Sequence, residues 1–194
     1  MKLTSMSVSE LLAAFRSSEP TPGGGSAAAL AGSVGASLLA MVSALPKPKG
    51  ESADDIAALE AAGESCAALA LQLETLIDRD SSAYDGVVEA FRLPKASDVE
   101  KAARTAAIQE ALKAATEAPL DVMRRCAEAL ALVPIVRDKG NQNAASDVQV
   151  ARVMLGAGLH GGQLNVEINL GSIKDLDYVS RVRQESDALV ATVV

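Results

Sequence analysis

The side chains of this chain that could do chemistry stand on apolar helix faces, where a carboxylate is costly. From Ile56 to Phe91 a stripe recurs every three or four residues: Ile56, Leu59, Gly63, Cys66, Leu69, Leu73, Leu76, Asp80, Tyr84, Val87, Phe91. That is the period of one helix face. Glu74, Asp78, Ser81, Asp85 and Glu89 fall on the opposite face, so Asp78 and Asp85 are expected to be solvated. Asp80 points inward, and an inward carboxylate needs a partner, a set of N–H donors or a role in chemistry. Asp147 is the second such residue. It heads the stripe Asp147, Ala151, Met154, Gly158 and follows the cap formers Asn141, Asn143 and Ser146. Each has a structural reading as well: Asp80 satisfied by a neighbouring helix N-terminus or an Arg, Asp147 complementing the dipole of its own helix.

A third feature offers backbone rather than side chains. Glu19-Pro20-Thr21-Pro22-Gly23-Gly24-Gly25-Ser26 precedes an unbroken small and apolar run, Ala27 to Leu45. The prolines bring the chain in extended. A glycine loop opening a helix then leaves free N–H groups and the positive end of a helix dipole available to a polar ligand. It is not a nucleotide loop: no Lys follows Gly25, and Leu11 to Ser17 reads as helix, not as the strand a dinucleotide fingerprint requires. Alone, the triplet reads more readily as a tight turn beneath a closely packed helix than as a site. Gln109, among apolar neighbours, and Arg92 and Lys95, flanking Pro94, are further polar candidates. Asn165, Asn169 and the lone His160 are others, and all of these are weaker candidates than the two aspartates. One His and two separated Cys give no metal-ligand cluster and no Ser-His-Asp arrangement.

The elements that must position these groups are helices. Ser7-Val8-Ser9-Glu10 fits a capping box, so a first helix is expected over about Val8–Arg16. The Ala27–Leu45 run follows, stopped by Pro46-Lys47-Pro48-Lys49-Gly50, then a long helix from Ser52 to Phe91, broken at Arg92-Leu93-Pro94-Lys95. Ser97-Asp98 caps a helix to about Ala115. Pro119 opens another, ending near Gly140. Asn141 to Ser146 caps a helix to about Leu159, Gly161-Gly162 separates it from a segment at Leu164–Ile168 that reads as either extended or helical, and a last helix runs from about Asp175 to Val190. The class is all-α, a helical bundle with a long buried central helix pair, and residues 1–194 read as a single domain.

Composition narrows the partners. Hydrophobic residues make up 49% and aromatics 2%, so the core is built from small and aliphatic side chains that let helices approach closely. A net charge of −7 argues against nucleic acid and against an anionic membrane. The Ala27–Leu45 run is long enough to span a bilayer. Its serines and glycines, with no flanking charged or aromatic belt, instead indicate a helix buried in a bundle or at a subunit interface. Cys66 and Cys126, inside helical patterns, read as reduced core residues of a cytoplasmic protein.

In order and spacing, several of these pieces resemble the cyclodeaminase/cyclohydrolase family. They are Pro20-Thr21-Pro22-Gly23-Gly24-Gly25-Ser26, Asp80-Ser81-Ser82-Ala83-Tyr84, Arg92-Leu93-Pro94-Lys95, Gln109, Ala115-Thr116-Glu117-Ala118-Pro119, Gly140-Asn141-Gln142-Asn143 and Ser146-Asp147. The family comprises the cyclodeaminase half of formiminotransferase-cyclodeaminase and stand-alone bacterial methenyltetrahydrofolate cyclohydrolases. The likeness spans about Ser7 to Asp175, and Arg92-Leu93-Pro94-Lys95 looks most like the stand-alone enzymes.

Membership would imply an all-helical homodimer acting on a tetrahydrofolate one-carbon substrate, with no metal or redox cofactor. The expected reaction is hydrolysis of 5,10-methenyltetrahydrofolate to 10-formyltetrahydrofolate. The alternatives are cyclodeamination of formiminotetrahydrofolate with release of ammonia, and folate binding without turnover. On this resemblance Asp80 and Asp147 would be catalytic or cation-stabilising. Pro22, Gly23, Gly24, Gly25 and Ser26 would hold the substrate by backbone contact. Tyr84, Gln109, Asn141 and Asn143 would orient it, and Arg92 or Lys95 would meet a glutamate carboxylate. Whether the site lies within one subunit or across a dimer interface stays open at this level.

Overall fold

A computed structural model of the chain describes residues 2–46 and 52–192. The expected break at Lys47-Pro48-Lys49-Gly50 lies outside the described residues; Pro46 follows the end of a helix, as expected. Among the described residues there are six α-helices and no strands: α1 (Val8–Phe15), α2 (Gly24–Ala44), α3 (Ala53–Arg92), α4 (Asp98–Lys139), α5 (Ala145–Leu170) and α6 (Leu176–Ala191), with short 3-10 turns before α1 and α5.

The helices start where cap chemistry allows. Ser7 and Ser97 form capping boxes with Glu10 and Glu100, Ser52 accepts the Asp55 N–H, and Asp175 accepts that of Tyr178. Helices α2, α3, α4 and α5 form a ring of antiparallel neighbours. Gly24 lies against Asn165 and Gly35 against Ala151, while Ser33 Oγ donates to Ala70 O at 3.0 Å. The central pair is α2 and α5, whose contact faces include Ala28, Gly32, Gly35, Ala151, Leu155, Gly158 and Gly161. Close approach requires the glycines. A Cβ on Gly158 would lie 2.7 Å from Cys126 Sγ and 2.9 Å from Ala28 O, and one on Gly32 would lie 2.6 Å from the same sulfur. Burial pushes the Cys126 thiol up to about 12, so it acts as a small core hydrophobe.

Two expected boundaries are corrected. Helix α4 continues through Pro119, and α5 continues through Gly161-Gly162. The two corrections share a cause. Proline at position 119 cannot bond the carbonyl of Ala115, and Asn169, on the last turn of α5, donates its amide to that oxygen at 3.0 Å. The helix loses one bond and tertiary structure replaces it. Gly162 lets α5 come close enough for this, since a Cβ there would lie 2.9 Å from Pro119 O. Asp78 is corrected too: it is half-buried and accepts hydrogen bonds from Leu3 N and Thr4 Oγ1, so it fixes the N-terminal turn to α3.

Helix α6 lies across α4 and α5. Arg124 reaches Glu185 at 2.6 Å and Asp121 at 2.7 Å, and Tyr178 donates to Glu117 at 2.9 Å. Helices α2 and α3 contain stretches long and apolar enough to cross a membrane. In α2 those residues form the bundle core, including Ala29, Ala36, Leu39 and Val42, all without solvent exposure.

Candidate active site

The glycine triplet is not a loop. Gly23 is the N-cap of α2, extended at φ −118° and ψ −158°, and Gly24 and Gly25 are already its first turn. Gly23 has no side chain with which to cap. The cap arrives from another helix: Asp80 Oδ2 on α3 accepts the Ser26 N–H at 2.9 Å and faces Ser26 Oγ at 3.2 Å. Ser26 is fully buried, and its hydroxyl also donates to Ile77 O at 2.8 Å. Asp80 thus does for α2 what an N-cap Asp does for its own helix, which matches the structural reading of that carboxylate. Gly25 makes room for it, because a methyl group there would overlap the Asp80 carboxylate.

One carboxylate oxygen remains. Asp80 Oδ1 makes no hydrogen bond among the described residues and lies over Gly25. Helical geometry leaves the N–H groups of Gly24 and Gly25 without acceptors in their own helix. Both glycines line a cavity of about 370 Å³, together with Pro20, Thr21, Gly23, Asp80, Tyr84, Ala115, Asn165, Ile168, Asn169 and Ser172. Burial holds the Asp80 carboxyl above the ordinary aspartate range, opposed by the Ser26 hydroxyl and N–H bonds that favour its charged form. The cavity therefore offers a carboxylate beside two backbone donors. That pairing suits a ligand that is cationic at one atom and accepts hydrogen bonds at its neighbours.

The sequence-predicted residues divide. Gly23, Gly24, Gly25, Asp80 and Tyr84 line the cavity, and Ser26 holds Asp80 from behind. Pro22 adjoins the wall through a cis Thr21-Pro22 peptide. Gln109 sits at the margin with its amide occupied: Nε2 donates to Ser172 O at 3.1 Å and Oε1 accepts from Lys174 N at 2.7 Å. It ties down the turn after α5. Arg92 and Lys95 lie exposed near the α3–α4 connection and do not line the cavity. Asn141, Asn143 and Asp147 are at the other end of α5, with Asp147 about 27 Å along the helix from Asn165. There Asn141 accepts the Asn143 N–H and donates to Pro46 O at 2.9 Å, joining the end of α2 to the start of α5.

Asn165, Ile168 and Asn169 enter the site although the sequence reading set the asparagines among its weaker polar candidates. Their signal was helical spacing, obscured by the Gly161-Gly162 pair. Asn165 Nδ2 donates to Gly161 O at 2.8 Å and lies against Gly24. Among the described residues no group of three His, Cys, Asp or Glu side chains is placed to hold a metal ion.

Comparison with known proteins bears on the family and the fold. The family pattern described as formiminotransferase-cyclodeaminase matches residues 7–188. A methenyltetrahydrofolate cyclohydrolase of Methylorubrum extorquens is 41% identical, covering 95% of this chain and 88% of that protein. The formimidoyltransferase-cyclodeaminase of Sus scrofa is 31% identical over 87% of this chain, which spans only 31% of that longer protein. A crystal structure of formiminotetrahydrofolate cyclodeaminase from Thermotoga maritima superposes with a TM-score of 0.87 at 26% identity, covering 99% of this chain and 92% of that one.

Proposed function

The chain belongs to the formiminotransferase-cyclodeaminase family, and on that premise we propose that it hydrolyses 5,10-methenyltetrahydrofolate to 10-formyltetrahydrofolate. One observation carries the reading: the free oxygen of Asp80 beside the first-turn N–H groups of α2, in a cavity walled by Tyr84, Asn165 and Ile168. The substrate carries its reactive carbon as a cation between N5 and N10. Asp80 stabilises that cation and takes a proton from water as the water oxygen bonds to the carbon. The bond from that carbon to N5 then breaks, its electron pair going to N5. One water proton ends on N5, the other is released, and the oxygen becomes the formyl carbonyl. The N–H groups of Gly24 and Gly25 meet acceptor atoms of the ligand, and Tyr84, a turn from Asp80, and Asn165, against Gly24, bound the same cavity. The identity to the Methylorubrum extorquens protein supports hydrolysis as the first reading.

A second reading is cyclodeamination, supported by the likeness to the Thermotoga maritima cyclodeaminase and by the raised pKa of Asp80. In that reaction N10 attacks the formimino carbon and ammonia leaves, which calls for a general acid. A carboxyl that keeps its proton above the usual range suits the task. The proposal includes a homodimer and a cytoplasmic setting. The dimer is supported by the apolar outer face of α5, where Val153 is 66% and Leu164 72% exposed.

Methenyl absorbance separates the readings. Purified protein given methenyltetrahydrofolate should bleach it faster than spontaneous hydrolysis. A rise in absorbance with formiminotetrahydrofolate would move the assignment to cyclodeaminase. A ligand-induced rise in melting temperature with neither change would leave binding alone. Asp80→Asn should lose on the order of 100-fold or more in turnover, and wild-type turnover in that variant would remove Asp80 from the chemistry.

A further inference from the structure

One part of the cavity wall belongs to no helix. Ser172 lines the cavity from the turn between α5 and α6, and the chain has no regular structure from there to Asp175, the cap of α6. The N–H groups of Ser172 and Ile173 return to Asn169 O and Leu170 O, and Ile173 is buried. Two further peptide groups of the turn, Ser172 O and Lys174 N, have no helix to pair with. One side chain satisfies both: Gln109 on α4 donates from Nε2 to Ser172 O and accepts the Lys174 N–H at Oε1. The carboxamide pairs with the turn as a peptide group of a neighbouring strand would. It needs a donor and an acceptor in one planar neutral group, which a Gln amide supplies and an ionised Glu does not.

Gln109 heads a polar stripe on α4, followed by Lys113 and Glu117 at intervals of four. Lys113 Nζ pairs with Asp175 at 3.0 Å, and the Tyr178 hydroxyl donates to Glu117. The partners keep the same order along both segments, so the stripe fastens the turn and then α6, rung by rung. The rungs are not equivalent. The lower ones join partly exposed side chains to one another. The uppermost grips backbone beside the cavity. Ala115, between the first rung and the third, is itself a cavity residue, and its carbonyl holds Asn169. The α5 side of the cavity is thus held to α4 at two points, Asn169 and Ser172. The Asn169 amide is spent on that bond. The Ser172 hydroxyl makes no hydrogen bond among the described residues, so it is an uncommitted polar group on a backbone that Gln109 fixes.

We propose that Ser172 binds the substrate through its hydroxyl and that Gln109 is the positioning residue that holds it in place. The contact with substrate rests on the proposed folate activity, whereas the grip of Gln109 on the turn does not. Two experiments keep these apart. The first is amide hydrogen exchange on the full chain. Gln109→Leu removes the acceptor of the Lys174 N–H, which should exchange about tenfold faster or more, while amides inside α4 and α6 keep their protection. Unchanged exchange at Lys174 overturns the grip, whatever the activity. Loss of protection throughout α4 and α6 overturns it as well, because Gln109 would then serve the fold as a whole.

The second experiment is kinetic, with methenyltetrahydrofolate as the probe. Ser172→Ala should raise KM about tenfold and leave kcat within about threefold, the pattern of a lost binding contact. Gln109→Glu keeps the length of the side chain and the Lys174 bond but cannot donate to Ser172 O while ionised, so it should raise KM similarly. The ratio of its KM to that of wild type should return toward one as pH falls and the carboxyl regains a proton; titration of Asp80 is common to both proteins and leaves the ratio alone. Tyr178→Phe breaks a lower rung and should lower the melting temperature without moving KM. A wild-type KM in Ser172→Ala overturns the binding role. A Gln109→Glu defect confined to kcat, or a KM in Tyr178→Phe raised as far as in Gln109→Glu, overturns the positioning role. Should wild-type protein turn over neither folate, the activity reading fails and the role of Ser172 with it, and exchange at Lys174 alone decides the grip.

Discussion

The two ends of α5 carry the same residue types to different effect. At each end asparagines and an aspartate meet the start of a helix. At the Asn141 end the polar atoms are largely spent on the chain itself: Asn141 accepts Asn143 N–H and donates to Pro46 O, and Gln142 donates to Arg137 O at 3.0 Å. At the Asn165 end the capping residue is missing, because Gly23 stands where a Ser or Asp ordinarily would. Asp80 does the capping from across the bundle with one oxygen and keeps the other free beside a cavity. Satisfying a helix start locally yields a joint. Satisfying it from a distance, over glycine, leaves a carboxylate oxygen free beside a cavity.

The largest effect that bears on this contrast comes from Gly25→Ala. The added methyl group overlaps the Asp80 carboxylate, and α2 packs too closely on α5 to yield. Asp80 should swing off Ser26 N–H, with loss of about 100-fold in turnover from a displacement on the order of 1 Å and a fall in melting temperature. Glycine-to-alanine changes usually favour a helix, so unchanged or raised stability with full activity would show that the capping bond does not hold Asp80 in place.

Asn169→Leu comes next and reads as stability. It strands the Ala115 carbonyl that Pro119 leaves unbonded, at a cost of about 1–3 kcal/mol, measured by urea unfolding. Restoring a backbone N–H with Pro119→Ala in the same chain should recover most of it. If the double variant is no more stable than Asn169→Leu alone, the amide is not replacing the lost helix bond.

That pair also accounts for what the sequence left illegible. The capping boxes, the long α3 stripe and the inward Asp80 were readable because each is decided within a turn or two of chain. The continuity of α4 and α5 was not. Pro119 and Gly161-Gly162 are local breakers, and the amide and close contact that override them come from another helix. For the same reason Asn165 and Asn169 ranked low, although their spacing of four is helical. The distance between Asp147 and Asp80 was illegible too, since a stripe reports which face a residue occupies but not which end of the bundle it reaches.

Asn141→Ala tests the joint. It removes the bonds to Asn143 N and Pro46 O and should cost about 1 kcal/mol, seen as a lower urea midpoint. Turnover per folded chain should change far less than in Gly25→Ala. An activity loss as large as that of Gly25→Ala, with stability intact, would mean that the Asn141 end is chemical in itself and would erase the contrast.

The smallest effect is a shift in pH profile. Burial raises the Asp80 pKa above the ordinary 3.8, while the Ser26 hydroxyl and N–H hold it back. The folded state therefore retains a proton that the unfolded chain releases between the two values. The stability this adds is present below the unfolded pKa and is lost as pH rises through the folded one. Hydrolysis runs the other way, because it uses the carboxylate: kcat/KM should fall as pH drops through the folded pKa. Ser26→Ala removes the hydroxyl bond and leaves the N–H, so the acid limb should move to higher pH with little change in the plateau. Movement to lower pH, or none, would mean that the limb belongs to another group and that Asp80 serves α2 only as a cap.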